Sequence, residues 1–162
     1  QRRCSASRRF SRRLLARQGI WGNTRISILM SAAPDNDKRP CYCGLQAAFS
    51  NCCGRYIVAG DVAQSAEQLM RSRYSAYVEC DESYLLASWH PETRPSRVRF
   101  DSKQRWLGLK IKSTTAGASE DASGTVEFVA RFKVDGKGHR LHEVSRFEKI
   151  DGRWYYLEGQ HL

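Results

Sequence analysis

Four of the six cysteines fall within thirteen residues, as the pairs Cys41-Tyr42-Cys43 and Cys52-Cys53. Two close pairs of soft sulfur ligands suit zinc, which structural sites hold in a tetrahedron of four thiolates. Neither pair closes a disulfide internally without strain, although crossed disulfides between the pairs are an alternative in an oxidising compartment. The N-terminal region has no apolar core of the kind a secretory signal needs. The spacing therefore favours one structural zinc ion, with Cys41, Cys43, Cys52 and Cys53 as ligands.

Glycines and arginines surround this cluster. Gly44 and Gly54 directly follow the two pairs, and we expect both to supply the φ freedom that a chain turning tightly round a metal requires. A zinc ion with four thiolates carries about two net negative charges. We expect Arg39 and Arg55, at the edges of the cluster, to offset part of that charge.

The positive charge of the chain is concentrated at its N-terminus. The net charge is +10, but residues 1–29 contain eight arginines and no acidic residue, which leaves 19 basic and 17 acidic residues, or +2, for residues 30–162. Such a segment is typical of a transit peptide or a polyanion-binding arm, and a true start at Met30 would place it upstream of the protein. We expect residues 1–40 to form a basic, disordered leader that adds little to the fold.

The full chain has a globular composition. The sequence is 41% hydrophobic and 27% charged, and no apolar run approaches the roughly 18–20 residues that cross a bilayer. Its nearly neutral charge beyond the leader offers no basic stripe for nucleic acid. We therefore expect a cytoplasmic protein with neither a membrane nor nucleic acid among its partners.

Two helices are predicted in the first half of the chain. Ser65 can cap the first, and Gln68 completes a capping-box pattern. The apolar stripe that follows is Ala66, Leu69, Met70, Tyr74, Tyr77 and Val78. Asp81 starts a second helix over residues 82–89, which Pro91 ends.

Strands are predicted after about residue 104. Residues 106–112 alternate, with Leu107, Leu109 and Ile111 on one face, and residues 125–133 alternate strictly. The turns at 135–136 and 151–152 are both Asp-Gly and join the second strand to 140–150 and then to 153–157. Residues 114–124 are small and polar, which is typical of a loop. Helices followed by an antiparallel meander predict an α+β fold with helices on one side of a curved sheet.

These residues resemble a known family. The segment Cys41-x-Cys43-Gly44 with Phe49-x-x-Cys52-Cys53-Gly54 is similar to the SEC-C motif, a zinc knuckle. The later segments resemble the YchJ family of bacterial proteins over about 41–159. The matching stretches are 69–74 (LMRSRY), 89–91 (WHP), 106–109 (WLGL), 128–132 (FVARF), 145–147 (SRF) and 152–156 (GRWYY).

The resemblance implies a SEC-C zinc knuckle at residues 41–55 and a cone-shaped, nuclear-transport-factor-two-like domain at residues 56–162. Two features depart from the SEC-C pattern. The segment between the cysteine pairs contains no lysine, and Tyr42 occupies a position where proline is usual. The missing lysines weaken any expectation of partner binding through basic charge.

A polar spot is predicted inside the sheet. If Asp135-Gly136 forms a two-residue turn, Glu143 and Ser145 share a face with the apolar side chains of the preceding strand. A carboxylate there is costly unless it is paired or reached by water. We expect Glu143, Ser145 and His90 to line a small-molecule pocket, or Glu143 to form a structural ion pair with Arg71 or Arg73.

No motif for catalysis is present, neither a phosphate-binding glycine loop, nor a hydrolase elbow, nor HExxH. The sequence therefore predicts a zinc-binding accessory or interaction protein of the YchJ type, with a protein partner at the knuckle and a pocket for a small molecule. The alternative is an isomerase-like or dehydratase-like enzyme that acts in the cone pocket through Glu143, Ser145, His90 or Arg71, and it depends on fold analogy.

Overall fold

The computed structural model describes residues 37–162, and the predictions for residues 1–36 lie outside that range. Within residues 37–162 the elements are a 3-10 turn (Phe49–Asn51), three helices and four strands. They are α1 (Cys53–Ile57), α2 (Ala66–Glu79), α3 (Glu82–Ala87), β1 (Gln104–Ala116), β2 (Ser123–Val134), β3 (Lys137–Ile150) and β4 (Arg153–His161). Within the described residues, no helix combines the length and apolar character of a membrane span.

The predicted caps determine where α2 and α3 begin. The Ser65 side chain accepts a hydrogen bond from the Gln68 N–H at 3.2 Å, as predicted. The Gln68 side chain accepts from the N–H of Gln64 rather than of Ser65, so the box closes one residue earlier than expected. Asp81 caps α3 by accepting from the Tyr84 N–H at 2.9 Å. The α3 helix ends at Ala87, earlier than predicted, because Trp89 forms a β-bridge with Tyr156.

The four strands form one antiparallel sheet in the order β1-β2-β3-β4. Both Asp-Gly turns are two-residue turns, with Val134 paired to Lys137 and Ile150 paired to Arg153. All four turn residues have positive φ, between 49° and 81°, as a type I′ turn requires. The predicted α+β meander is therefore confirmed, although the loop between β1 and β2 is shorter than the predicted 114–124.

Irregularities in the register bend the sheet. One residue is left unpaired in β1 between Trp106 and Gly108, and another between Ile111 and Ser113. A bulge of this kind turns the strand and increases its twist. Leu107 is the extra residue at the first bulge and is 48% exposed. The prediction that Leu107 shares the buried face of Leu109 and Ile111 is wrong because the bulge resets the alternation.

The main core lies between α2 and one face of the sheet, called the inner face below. The apolar stripe of α2 packs there against alternate residues of β2 and against the later strands. Its fully buried members include Val126, Phe147 and Trp154, and Trp106, Leu109 and Ile111 pack at its edge. A second, smaller core surrounds Phe49 in the cysteine knuckle and shares Leu109 with the first. The knuckle therefore lies against α2 and β1.

Candidate functional site

The four predicted ligands of the knuckle meet at one point. The sulfur atoms of Cys41, Cys43, Cys52 and Cys53 all lie within 4.8 Å of one another, and none of the four is in a disulfide. The Cys43 and Cys52 sulfurs are 3.6 Å apart. A tetrahedron with zinc–sulfur bonds of about 2.3 Å has sulfur–sulfur edges of about 3.8 Å. The cluster therefore has the spacing of a four-thiolate metal site.

Short local elements bring the two pairs together. The first pair lies in a turn that is closed by a hydrogen bond from the Cys41 N–H to the Ala47 carbonyl, at 2.9 Å. The second pair lies at the start of α1, with Cys52 as its N-cap and Cys53 in its first turn. Gly44 has a φ of +85°, which confirms the predicted need for backbone freedom.

The prediction for Gly54 is wrong. This residue is helical, with no positive φ, and its missing side chain makes room for Phe49. A Cβ at Gly54 would lie 2.7 Å from the Phe49 carbonyl oxygen and 2.9 Å from its ring. Gly54 is therefore required by close packing behind the four cysteines and not by backbone conformation.

The four thiols influence one another strongly. Hydrogen bonds from Cys43 and Cys53 hold the pKa of Cys41 far below its usual range. Burial raises the pKa of Cys52 to about 12, and the hydrogen bond with Cys41 raises the pKa of Cys53 well above its usual range. Cys41 thus loses its proton most readily, and its negative charge makes deprotonation of Cys52 and Cys53 less favourable. A divalent cation at the centre would hold all four as thiolates, so metal binding would release protons.

Arg71 attaches the knuckle to the larger domain. Its Nη1 donates to the Cys43 carbonyl oxygen at 2.9 Å, and its Nε donates to Glu67 at 2.8 Å. The Cys41 sulfur lies 3.9 Å from the Ser75 hydroxyl on the same helix. The structure therefore places Arg71 at the back of the cysteine cluster, away from the inner face of the sheet where a pocket was predicted.

The flanking arginines are paired with carboxylates. Arg39 Nη1 lies 2.6 Å from Glu79 Oε1, and the Arg39 guanidinium carbon lies 4.2 Å from the centroid of the Phe49 ring. Arg55 Nε lies 2.8 Å from Asp61 Oδ2. Each guanidinium is thus paired with a carboxylate. The hydrogen bond to Asp61 contributes most to raising the pKa of Arg55, and the Cys52 charge also helps to raise it, so the offset of the thiolate charge stays a prediction. Arg39 also holds the edge of the knuckle against α2.

Glu143 and Ser145 lie together on the inner face, as the strand pattern predicted. Glu143 pairs with Phe128 in the sheet, and both polar residues are buried. The Ser145 hydroxyl donates to Glu143 Oε1 at 2.6 Å, and His161 Nε2 lies 3.3 Å from Glu143 Oε2. Ser145 and His161 thus act as partners of a carboxylate that would otherwise be buried without one.

The structure does not bring His90 to Glu143. The His90 Nδ1 accepts from the Glu92 N–H at 3.2 Å, and its Nε2 lies 3.7 Å from Glu148 Oε2. Glu148 is an odd number of residues from Glu143 on the same strand and therefore faces the opposite side of the sheet. His90 is buried beside the outer face, and its backbone N–H bonds to β4.

Arg73, one of the two arginines expected to pair with Glu143, lies on the inner face but bonds to other groups. Only 3% of its surface is exposed, and Nη1 donates to the Leu85 carbonyl and the Ser88 hydroxyl at 2.9 and 2.7 Å. At about 100° per residue, Arg71 and Arg73 cannot both face the core from one helix. The deciding signal was the i±4 spacing of Arg73 from Leu69 and Tyr77, which places it on the apolar stripe of α2.

Comparisons with known proteins agree with this architecture. The family described as the YchJ middle NTF2-like domain matches residues 65–159. A UPF0225 protein of Chromobacterium violaceum is 52% identical over 123 residues, which is 74% of this chain and 90% of that protein. A UPF0225 protein of Streptomyces coelicolor is 47% identical over 76% of this chain and 96% of its own length.

Solved structures give the same result. A SEC-C motif containing protein from Rhodopseudomonas palustris has a TM-score of 0.66 and 34% identity, over 76% of this chain and 99% of that one. A SEC-C motif containing protein from Psychrobacter arcticus has a TM-score of 0.63 and 26% identity, over 75% of this chain and 82% of that one. The resemblance found in the sequence is confirmed: this chain belongs to the YchJ, or UPF0225, family and joins a SEC-C-type cysteine knuckle to a nuclear-transport-factor-two-like domain.

Proposed function

We propose that this protein holds one structural zinc ion in its cysteine knuckle and acts as an accessory protein whose knuckle binds a protein partner. The four disulfide-free sulfurs within 4.8 Å of one another carry the proposal. All four ligands come from the protein, which leaves no open coordination position for a substrate, and three of the four cysteines are buried. Closed four-thiolate sites of this kind stabilise structure.

The outer surface of the knuckle supports protein binding. Leu45, Val58 and Val62, in the knuckle and the segment that follows α1, are 46%, 60% and 39% exposed. Arg55 is the only charged residue in 41–55, and its guanidinium is paired with Asp61. Exposed apolar side chains with little charge favour a protein surface over a polyanion. Attachment through Arg71 and Arg39 holds this surface in a fixed position on the domain, which lowers the entropy lost on binding.

The compartment we propose is the cytoplasm. The four knuckle cysteines are free thiols, the state that a reducing compartment favours. Cytoplasmic localisation is therefore part of the proposal.

Metal analysis tests the zinc site. Protein purified without added metal should contain one zinc per chain, and four thiols should react with a thiol reagent only after a chelator is added. Cys52→Ser should lose the zinc, whereas Ser50→Ala, a neighbouring change that removes no ligand, should keep it. Protein that is correctly folded but contains no zinc after reconstitution would refute the metal site.

Partner binding is tested separately with a variant that retains the metal. Leu45→Ser should still bind one zinc but should lose the cross-linked partner that the wild-type chain captures in cells, and Cys52→Ser should lose both. Leu107→Ser provides a matched control, because it removes an equally exposed leucine from β1. Capture that is insensitive to Leu45→Ser and Cys52→Ser would contradict the accessory role while leaving the zinc result intact.

The enzymatic alternative has one observation in its favour, the buried carboxylate of Glu143 on the inner face. Proton transfer between Glu143 and His90 would require the two side chains to face the same substrate. Because His90 contacts Glu148 on the other side of the sheet, the geometry supports the accessory role better.

A further inference from the structure

Arg73 is a buried cation between two aromatic rings. Its guanidinium carbon lies 4.3 Å from the centroid of Tyr156 and 4.8 Å from that of Trp89. Burial lowers the pKa of Arg73, which expresses the cost of removing a charge from water. Aromatic faces offset part of that cost but do not replace a counter-ion.

One edge of this guanidinium lacks a partner. Nη1 is used by two hydrogen bonds, to Leu85 and Ser88, whereas Nε and Nη2 make no hydrogen bond among the described residues. No carboxylate in the described part of the chain lies within 4.0 Å of the guanidinium nitrogens. The Nε–Nη2 edge is the fork that binds a carboxylate with two parallel hydrogen bonds.

A second donor beside Arg73 also lacks an acceptor. The indole Nε1 of Trp89 is buried and has no hydrogen-bond partner within residues 37–162. Leaving a buried donor unpaired costs free energy, and native structures rarely do so without a reason. Two unpaired donors that meet in one cation–aromatic contact indicate a missing acceptor at the same place.

Glu143 does not supply that acceptor. Its charge acts on Arg73 from beyond ion-pair distance. Its Oε1 accepts from Ser145, and its Oε2 faces His161. Glu143 therefore balances the charge of Arg73 only at long range. The Nε–Nη2 edge of Arg73 and the indole N–H of Trp89 remain without acceptors among the described residues. The missing group is an acceptor that makes close contact with a guanidinium.

We propose that the inner face of the domain binds a small organic carboxylate, held by the Nε–Nη2 edge of Arg73, with the indole N–H of Trp89 as a second donor. Aromatic side chains on the same face surround the polar spot, including the buried Phe128 and Phe147 and the ring of Tyr156. A monocarboxylate with an apolar body matches these walls better than a polar or multiply charged acid does.

The test is a titration of zinc-loaded, ¹⁵N-labelled full chain with sodium benzoate, observed by NMR at the Arg73 Nε–H and Trp89 Nε1–H signals. Both signals should shift with one saturating curve and a dissociation constant on the order of 1 mM, typical of so small a ligand. Benzamide, which has the same shape and no charge, should bind at least about tenfold more weakly, because the guanidinium fork favours an anion.

Variants on one helix provide the matched comparison. Arg73→Lys should weaken benzoate binding at least about tenfold, because an ammonium group cannot offer the fork, whereas Arg71→Lys, on the knuckle side of α2, should leave it unchanged. Benzoate that shifts neither signal, or that binds no better than benzamide, overturns the proposal. The same conclusion follows if shifts are confined to the half-open cavity of about 870 Å³ beside Arg99 and Lys133. The wild-type titration decides these points even if Arg73→Lys fails to fold.

Discussion

Gly54→Ala should weaken zinc binding although the residue is not a ligand. The added Cβ would lie 2.7 Å from the Phe49 carbonyl oxygen and 2.9 and 3.0 Å from two ring atoms of Phe49. The Phe49 ring can rotate away, but its carbonyl oxygen cannot. That oxygen lies in the 3-10 turn and accepts a hydrogen bond from the Cys52 N–H. Relieving the overlap therefore moves the turn that carries the second cysteine pair.

The size of the effect follows from two opposing terms. Overpacking in a rigid site costs about 1–3 kcal/mol, and a backbone clash belongs at the upper end of that range. Alanine is favoured over glycine in a helix by about 1 kcal/mol, which opposes the clash. The net destabilisation of the knuckle is therefore about 2 kcal/mol. Because small zinc knuckles fold as they bind the metal, this strain appears as an affinity loss of about 30-fold.

Competition with a chromophoric zinc chelator measures that loss. Gly138→Ala is the control, because a Cβ at that position in β3 meets nothing within 4 Å. The control should bind zinc as the wild-type chain does. Equal zinc affinity for Gly54→Ala and wild type would refute the claim that Phe49 packs against Gly54 in the metal-bound fold.

Three further outcomes are expected. Gly159→Ala would drive a Cβ into the carboxylate of Glu143, so urea unfolding should show a loss of about 1–3 kcal/mol. Arg71→Met removes the hydrogen bond to the knuckle, so hydrogen exchange over 41–53 should accelerate while β2 and β3 stay protected. Burial raises the pKa of six of the seven tyrosines, to about 12 for Tyr42 and Tyr84. In the folded chain these phenols stay protonated above the ordinary tyrosine pKa of 10.0. The free energy of unfolding should therefore be unaffected below pH 10 and should fall as the pH rises toward 12. Phenolate absorbance should appear as the chain unfolds. Phenolate absorbance that appears fully at pH 10 without unfolding would contradict this burial.

Local sequence rules were sufficient for much of the fold. The Ser65 cap, the Asp81 cap and both Asp-Gly turns depend on groups only a few residues apart, and all four form as predicted. Once the first turn was a two-residue turn, strand alternation placed Glu143 and Ser145 on the inner face. The four cysteines met for the same reason, because only short segments connect the two pairs.

Contacts between distant segments decided the rest. The bulge at Leu107 was not predicted, because the paired strand determines where a residue is skipped. Helical periodicity requires Arg71 and Arg73 to face different sides of α2, but it does not say which side each faces. The packing decides this. Arg71 contacts the Cys43 carbonyl of the knuckle, and Arg73 contacts the rings of Trp89 and Tyr156.

The sequence by itself determined the four-cysteine cluster, the helix caps, the turns and the α+β class, because each depends on spacing along the chain. Only the tertiary structure decided that His90 lies behind the sheet and that Gly54 makes room for Phe49. It also decided that Arg73 is buried with one edge unpaired among residues 37–162. These features arise where residues far apart in sequence exclude water together, and a buried group's partners are known only when all the surrounding elements are in place.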